Sequence, residues 1–242
     1  MRLKIDVKSI KEILNLVSTL VQEAKVSFTP DGLSIKVMDP ARVSMIGIVV
    51  NKDAFQEYST DSEMIVGLDI DALRNFLKVV PSGIVELSGD SKKMAARVNS
   101  LSGGFRVIDP EVLTSPKIPE VNYSNSFIIE KSVLLQGIKA ADTITEVVRL
   151  SNSPSGVKIS AQGGTDSEII ELNILKEQTK EFIYASDVKS SFALEYILKF
   201  AQAMESATDL QVSLGEDYPV RIEGKFLNEK GTVTFLLAPR VE

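Results

Sequence analysis

The chain has 242 residues, 44% hydrophobic and 25% charged, enough for two ordinary domains, each with its own core. It contains no cysteine and no histidine, which excludes disulfide frameworks, thiol nucleophiles, imidazole bases and the usual zinc sites. No run approaches the roughly eighteen consecutive apolar residues of a membrane helix, and a net charge of −6 argues against tight binding of nucleic acid by phosphate neutralisation.

Residues 1–6 alternate as a strand and carry no signal-peptide core. The spacing of Ile10, Ile13, Leu14, Val17, Leu20 and Val21 predicts a helix over Val7–Gln22. Strands are predicted at Gly32–Met38 and Val43–Val50, separated by a turn at Asp39-Pro40. A short helix over Asp71–Val80 ends at Pro81-Ser82-Gly83. Strands Ile84–Leu87, Met94–Asn99 and Phe105–Ile108 follow, the last behind a turn at Gly103-Gly104. Residues 109–124 hold three prolines and no helical period, so they read as an extended connector. Beyond it come strand Ser126–Ile129, helix Lys131–Ala141 and strands Glu146–Leu150, Val157–Gln162, Glu168–Leu175 and Phe182–Ala185. A longer helix over Val188–Met204 and strands Leu210–Leu214, Val220–Phe226 and Thr232–Leu237 complete the chain.

The pattern of residues 8–50 recurs without a gap 124 positions later. Ile10, Leu14 and Leu20 correspond to Leu134, Ile138 and Ile144, and the turn Asp31-Gly32 corresponds to Ser155-Gly156. Few identities survive, but the order of periods does, and period is what folding reads. A repeat this long indicates a duplicated domain, not a solenoid. The predicted organisation is therefore a first domain at 1–108, a connector at 109–124 and a second domain at 125–242. Each of the four predicted helices (taking the third from Glu130 and the fourth from Lys189) sums to a formal +1 in a chain that sums to −6. Either these are ordinary solvated faces, or basic residues are sorted onto helices that share a polyanion.

Enzyme signatures are few. There is no Walker-type phosphate loop and no dinucleotide-binding glycine fingerprint. Gly163-Gly164-Thr165-Asp166 reads as a turn between strands or as a small anion nest. Asp31, Asp39 and Asp69 could in principle serve carboxylate–magnesium chemistry, but they stand at turns and strand starts, where aspartate is common for backbone reasons.

Five segments resemble the sliding clamps of archaea and eukaryotes, the proliferating cell nuclear antigen family. They are Asp31-Gly32-Leu33-Ser34-Ile35-Lys36-Val37-Met38-Asp39-Pro40-Ala41-Arg42-Val43, Ile118-Pro119-Glu120-Val121-Asn122-Tyr123, Phe192-Ala193-Leu194-Glu195-Tyr196, Asp217-Tyr218-Pro219-Val220 and Leu237-Ala238-Pro239-Arg240-Val241. They fall in order along the whole chain.

The resemblance implies an α+β fold of two duplicated DNA-clamp domains, assembled as a trimeric ring with helices lining the bore and sheets outside. It implies a non-enzymatic processivity factor without cofactor, which encircles duplex DNA and recruits DNA polymerase, clamp loader, flap endonuclease and ligase. Lys8, Lys11, Arg74, Lys78, Lys139 and Lys199 are the implied DNA-facing cations. Ser18, Asn75, Gln136 and Gln202 stand where relatives are often basic, so the bore is expected to be mildly positive. Partner peptides of the form Gln-x-x-hydrophobic-x-x-aromatic-aromatic are implied to dock on Met38, Arg42, Val43, Ile118, Pro219, Leu236, Ala238 and Pro239. Two departures bear on peptide preference: Pro116 replaces a common aliphatic residue and Leu236 a common aromatic one. The implied subunit seam pairs an edge carrying Phe105 and Val107 with an edge carrying Ile170, Leu172 and Ile174 of the next chain. The expected location is cytoplasmic and nucleoid-associated in an archaeon, or nuclear in a eukaryote. A scaffold of the same fold that never encircles DNA is the other reading.

Overall fold

The computed structural model describes residues 1–60, 62–164 and 167–240. The suggested nest at Thr165-Asp166 and the terminal Val241 lie outside them. The chain forms two compact units. One holds Met1–Ile118 with Lys225–Val233, the other Pro119–Gly224 with Thr234–Glu242.

The first unit begins with strand β1 (Arg2–Asp6) and helix α1 (Val7–Ser18). Strands β2 (Glu23–Thr29), β3 (Gly32–Met38), β4 (Ser44–Asn51), β5 (Glu57–Ser59) and β6 (Met64–Asp69) follow, then helix α2 (Ile70–Lys78). Strands β7 (Ile84–Gly89), β8 (Lys93–Val98) and β9 (Leu101–Ile108) close it. The second unit runs β10 (Asn125–Glu130), α3 (Lys131–Ala141), β11 (Val147–Ser153), β12 (Gly156–Gln162), β13 (Ile169–Leu175), β14 (Glu181–Ile183), β15 (Val188–Ala193), α4 (Leu194–Ala203) and β16 (Asp209–Leu214). A last hairpin, β17 (Val220–Phe226) and β18 (Gly231–Leu237), carries its tip into the first unit, where Asn51 N donates to Lys230 O at 2.8 Å.

The duplication is deeper than the sequence pattern shows, because the offset of 124 holds from β1's exit to α2. Ile70 N donates to Gln22 O and its twin Leu194 N to Glu146 O, both at 2.9 Å. Gln56 N donates to Lys4 O and Lys180 N to Ile128 O, which hangs β5 and β14 at matching places. Gly32 and Gly156 both have φ 145, and a Cβ there would stand 2.0 and 2.1 Å from the carbonyl oxygens of Val50 and Ile174. Only glycine makes that turn without strain. The cores are apolar: Ile13, Leu16, Ile46, Ile48, Ile70 and Leu77 are sealed in the first unit, and Phe192, Phe200 and Phe235 in the second. Phe200 and Phe235 stack at 4.5 Å.

Four sequence expectations are corrected. The first helix stops at Ser18, not Gln22: Ser18 Oγ donates to Asn15 O and Thr19 Oγ1 to Leu16 O, and these hydroxyls satisfy the carbonyls of the last turn. Glu23–Thr29, Glu57–Ser59 and Met64–Asp69 are strands that the periodicity did not announce. Gly103-Gly104 lies inside β9, and the turn is at Asn99-Ser100, with Asn99 at φ 52. Val188–Ala193 is a strand paired with β11 from Asn152↔Val188 to Val147↔Ala193, so the helix begins only at Leu194. Lys189 therefore leaves the helical charge count, which becomes +1 for α1, +1 for α2, +2 for α3 and zero for α4.

Candidate DNA-facing and peptide-docking surfaces

Asp6 caps α1 by accepting from Lys8 N at 2.7 Å, and Asp69 caps α2 by accepting from Ala72 N at 2.7 Å. The six suggested cations divide into two kinds. Lys11 Nζ donates to Val80 O at 2.7 Å, just beyond the end of α2, so it ties the two helices together. Arg74 donates to Asn15 Oδ1 on α1 and to Asp71 Oδ1 on its own helix. Lys199 pairs with Glu195 at 2.8 Å, which cancels its charge locally. Lys8, Lys78 and Lys139 are exposed and form no ion pair among the described residues. Lys78 and Lys139 lie in the last turns of α2 and α3, where a cation also suits the helix dipole. Sequence pattern did not single out Lys131, whose Nζ donates to Met204 O and, at 3.0 Å, to Glu205 O. It does for α4 what Lys11 does for α2.

The loop after β3 is built by Asp39. Its carboxylate accepts from Ala41 N at 3.1 Å, Val43 N at 2.9 Å and Ser44 N at 2.6 Å, and the residue is 5% exposed. This holds Arg42 at φ 60 and turns Arg42 and Val43 to solvent. Asp39 is thus a loop organiser and Asp69 a helix cap. Met38 is half-buried beside them.

The connector lies on the first unit's sheet. A Cβ on Gly47 of β4 would stand 2.2 Å from Ile118 Cδ1, and one on Gly67 of β6 would stand 2.7 Å from Leu113 Cδ1. Missing side chains at these two positions let the connector approach the sheet. Pattern reading passed over both glycines, and the only signal for them is a small residue on the outward phase of a strand.

In the second unit Tyr123 Oη donates to Pro219 O at 2.8 Å, and its ring meets Tyr218 edge-on at 6.2 Å. Burial pushes the Tyr123 hydroxyl up to about 12. Pro219, Ala238 and Pro239 are half-buried, whereas Leu236 is 3% exposed and sits in the core of its unit. The expectation that Leu236 offers its side chain to a peptide is corrected accordingly.

The suggested seam residues sit on open strands. β9 pairs with β8 through Leu101–Arg106 but with β6 only at Val107 and Ile108. Phe105 packs edge-on against Phe76 of α2 at 5.5 Å. β13 is the end strand of the four-stranded sheet β13-β12-β11-β15. Its Ile170, Leu172 and Ile174 face the core and α3, while Ile169 and Leu175 are more than half exposed.

Two twin units, each presenting a pair of helices beside antiparallel strands, define an α+β clamp subunit. The N-terminal-domain profile of proliferating cell nuclear antigen matches residues 2–96, and the C-terminal-domain profile matches residues 117–240. A DNA polymerase sliding clamp of Thermoplasma acidophilum is 34% identical over 245 residues, covering 100% of this chain and 99% of that one. The Archaeoglobus fulgidus clamp, 29% identical over 236 residues, covers 96% and 95%. A solved structure of the A. fulgidus protein with the C-terminal region of FEN-1 bound superposes with a TM-score of 0.94 at 27% identity, covering 100% and 98%. The chain belongs to the proliferating cell nuclear antigen family, the DNA polymerase sliding clamps.

Proposed function

We propose that three copies of this chain close head-to-tail into a ring that encircles duplex DNA, and that the ring holds a polymerase on its template and recruits repair enzymes. One observation supports closure above the others. β4 and β13 are twins, and so are the third hairpin strands β9 and β18. Within the chain β4 already has the tip of the last hairpin beside it. Among the described residues the outer edge of β13 has no such neighbour, and that of β9 has one only at Val107 and Ile108, where β6 pairs with it. The pairing missing inside the chain is the one a second copy supplies.

Lys8, Lys78 and Lys139 are the cations offered to DNA, with Lys11, Arg74 and Lys199 supporting or neutralised. Topological enclosure needs only weak, sequence-blind phosphate contacts, which permit sliding. Partner peptides dock on the first unit at Met38, Arg42, Val43 and Ile118. No reaction is assigned to the chain.

Light scattering over a wide concentration range tests this first. A mass of about three chains, followed by retention on closed circular DNA and release on linearisation, is the expected outcome. A monomer at all concentrations overturns the homotrimer.

A further inference from the structure

The twin relation between the units fixes how the two open edges would meet in a second copy. In the first unit Asn51 N donates to Lys230 O at 2.8 Å, so the end of β4 stands opposite the start of β18. Neighbouring strands that meet end to start overlap only if they run antiparallel. The twin of Asn51 is Leu175. For the last hairpin the offset is 132, because Ile108 lies opposite Gly67 while Arg240 N donates to the twin Ser191 O at 2.7 Å. Arg97 likewise lies opposite Ser102, and their side-chain counterparts Glu223 and Thr234 meet at 3.1 Å. Lys230 is therefore the counterpart of Val98. Stepping back along both strands, Leu172 faces Leu101 of the next copy, Glu171 faces its Ser102 and Ile170 its Gly103.

The side chains fit that register. Leu175 N, twin of Asn51 N, is capped by Gln178 Oε1 at 2.8 Å, which ends the open stretch of β13. On the helix side Leu101 is 42% exposed, and Leu172 packs on α3, its Cδ2 3.1 Å from a Cβ placed on Gly137. Gly103, which lies under the Phe76 ring, is small where Ile170 would arrive. On the other face Glu171 accepts from Lys158 at 3.0 Å, and its side chain is 44% exposed. Arg97 is exposed, and its Nε donates to Asn99 O at 3.3 Å. Its cross-strand neighbour Glu86 is taken by Arg2 at 2.6 Å, so Arg97 has no ion pair among the described residues.

Resting on the ring reading, we propose that Glu171 of one copy reaches over Ser102 of the next to pair with its Arg97. This pair, with Leu172 on Leu101 beneath it, selects a second copy of the same chain at every seam. The two α-carbons lie two strand spacings apart, about 10 Å, and the serine between them leaves the way clear. A slip of one residue would put every side chain on the wrong face. A slip of two would set Glu171 opposite Gly104, whose neighbour is Ala95, or opposite the Ser100 turn, and neither offers a cation. An open edge offers backbone hydrogen bonds to any strand, and the charge pair supplies the discrimination.

Light scattering across a dilution series tests the pair. Glu171→Arg and Arg97→Glu, each alone, should raise the concentration of half-assembly at least about tenfold. Both changes in one chain should bring it back to within about threefold of the original. Single variants that assemble like the original, or a double variant no better than the worse single, overturn the charge pair. Disulfide trapping reads the register separately, since the chain has no cysteine. Alternation from the Asn51–Lys230 bond makes Leu101 and Leu172 a non-hydrogen-bonded pair, in which side chains stand closest. Leu101→Cys with Leu172→Cys should give covalent dimers and trimers under mild oxidation, and Leu101→Cys with Asn173→Cys should not. Stronger trapping by Leu101→Cys with Ile170→Cys overturns the register. An original chain that stays monomeric overturns the ring reading and the seam with it, whereas a trimer indifferent to these changes overturns the seam alone.

Discussion

Replacing Gly47 by alanine tests how the connector is held. The new Cβ would lie 2.2 Å from Ile118 Cδ1, whereas carbon atoms in contact settle near 3.5–4.0 Å. Ile118 must then move by more than 1 Å, either off its rotamer at roughly 0.5–1.5 kcal/mol or away from the sheet. Ile118 is half-buried, so leaving the sheet forfeits about half the value of a buried isoleucine, roughly 1 kcal/mol. Alanine recovers about 0.5–1 kcal/mol of that in the strand backbone. Global stability in urea should therefore change by less than about 1 kcal/mol. The connector is displaced all the same, and affinity for a Gln-x-x-hydrophobic-x-x-aromatic-aromatic peptide, read by anisotropy, should fall about fivefold, the equivalent of about 1 kcal/mol. In an Ile118→Ala background the same substitution should cost nothing. An equal loss in both backgrounds, or no loss in either, would refute the argument that Gly47 exists to seat Ile118.

Asp39→Ala removes an acceptor shared by three backbone N–H groups, one of them on buried Ser44, and should cost about 2–4 kcal/mol in urea unfolding. Asp39→Asn should cost less than half as much. Lys11→Met should lower stability by about 1 kcal/mol because the Val80 carbonyl loses its donor, while the triple change of Lys8, Lys78 and Lys139 to glutamine should leave the melt unchanged and shorten retention on circular DNA at low salt. Leu227, Asn228 and Glu229 follow one another at φ 52, 55 and 66 in the tip of the last hairpin, so Glu229→Gly should stabilise by about 0.5 kcal/mol in a urea titration. Burial pushes the Tyr58 hydroxyl up to about 12, with the Tyr123 hydroxyl also at about 12. A folded-state value above the unfolded 10 favours the neutral form, so this stability is whole below pH 10 and lost between pH 10 and 12. Tyr58→Phe should flatten that alkaline limb of the pH–stability curve.

The sequence alone carried the duplication, because helix and strand periods recur at one offset and each half must bury its own apolar face. It also carried helix α3, strands β12 and β17 and the Gly32 and Gly156 turns, where local chemistry and tertiary structure agree. It did not carry β2, β6 or β15. Val188–Ala193 has little alternation to distinguish it from the helix that follows, and its hydrogen bonds to β11 decide its state. The cations show the same division. Composition placed lysines on helices, but only the fold separates Lys11, held by a distant carbonyl, from Lys78 and Lys139, which face solvent. Gly47 and Gly67 acquire meaning only when residues 113–118 lie across them. Periodicity is a property of neighbours along the chain and can be read from it. Which strand edge stays open, which lysine is engaged and which glycine is covered depend on partners distant in sequence, and only the tertiary structure brings those together.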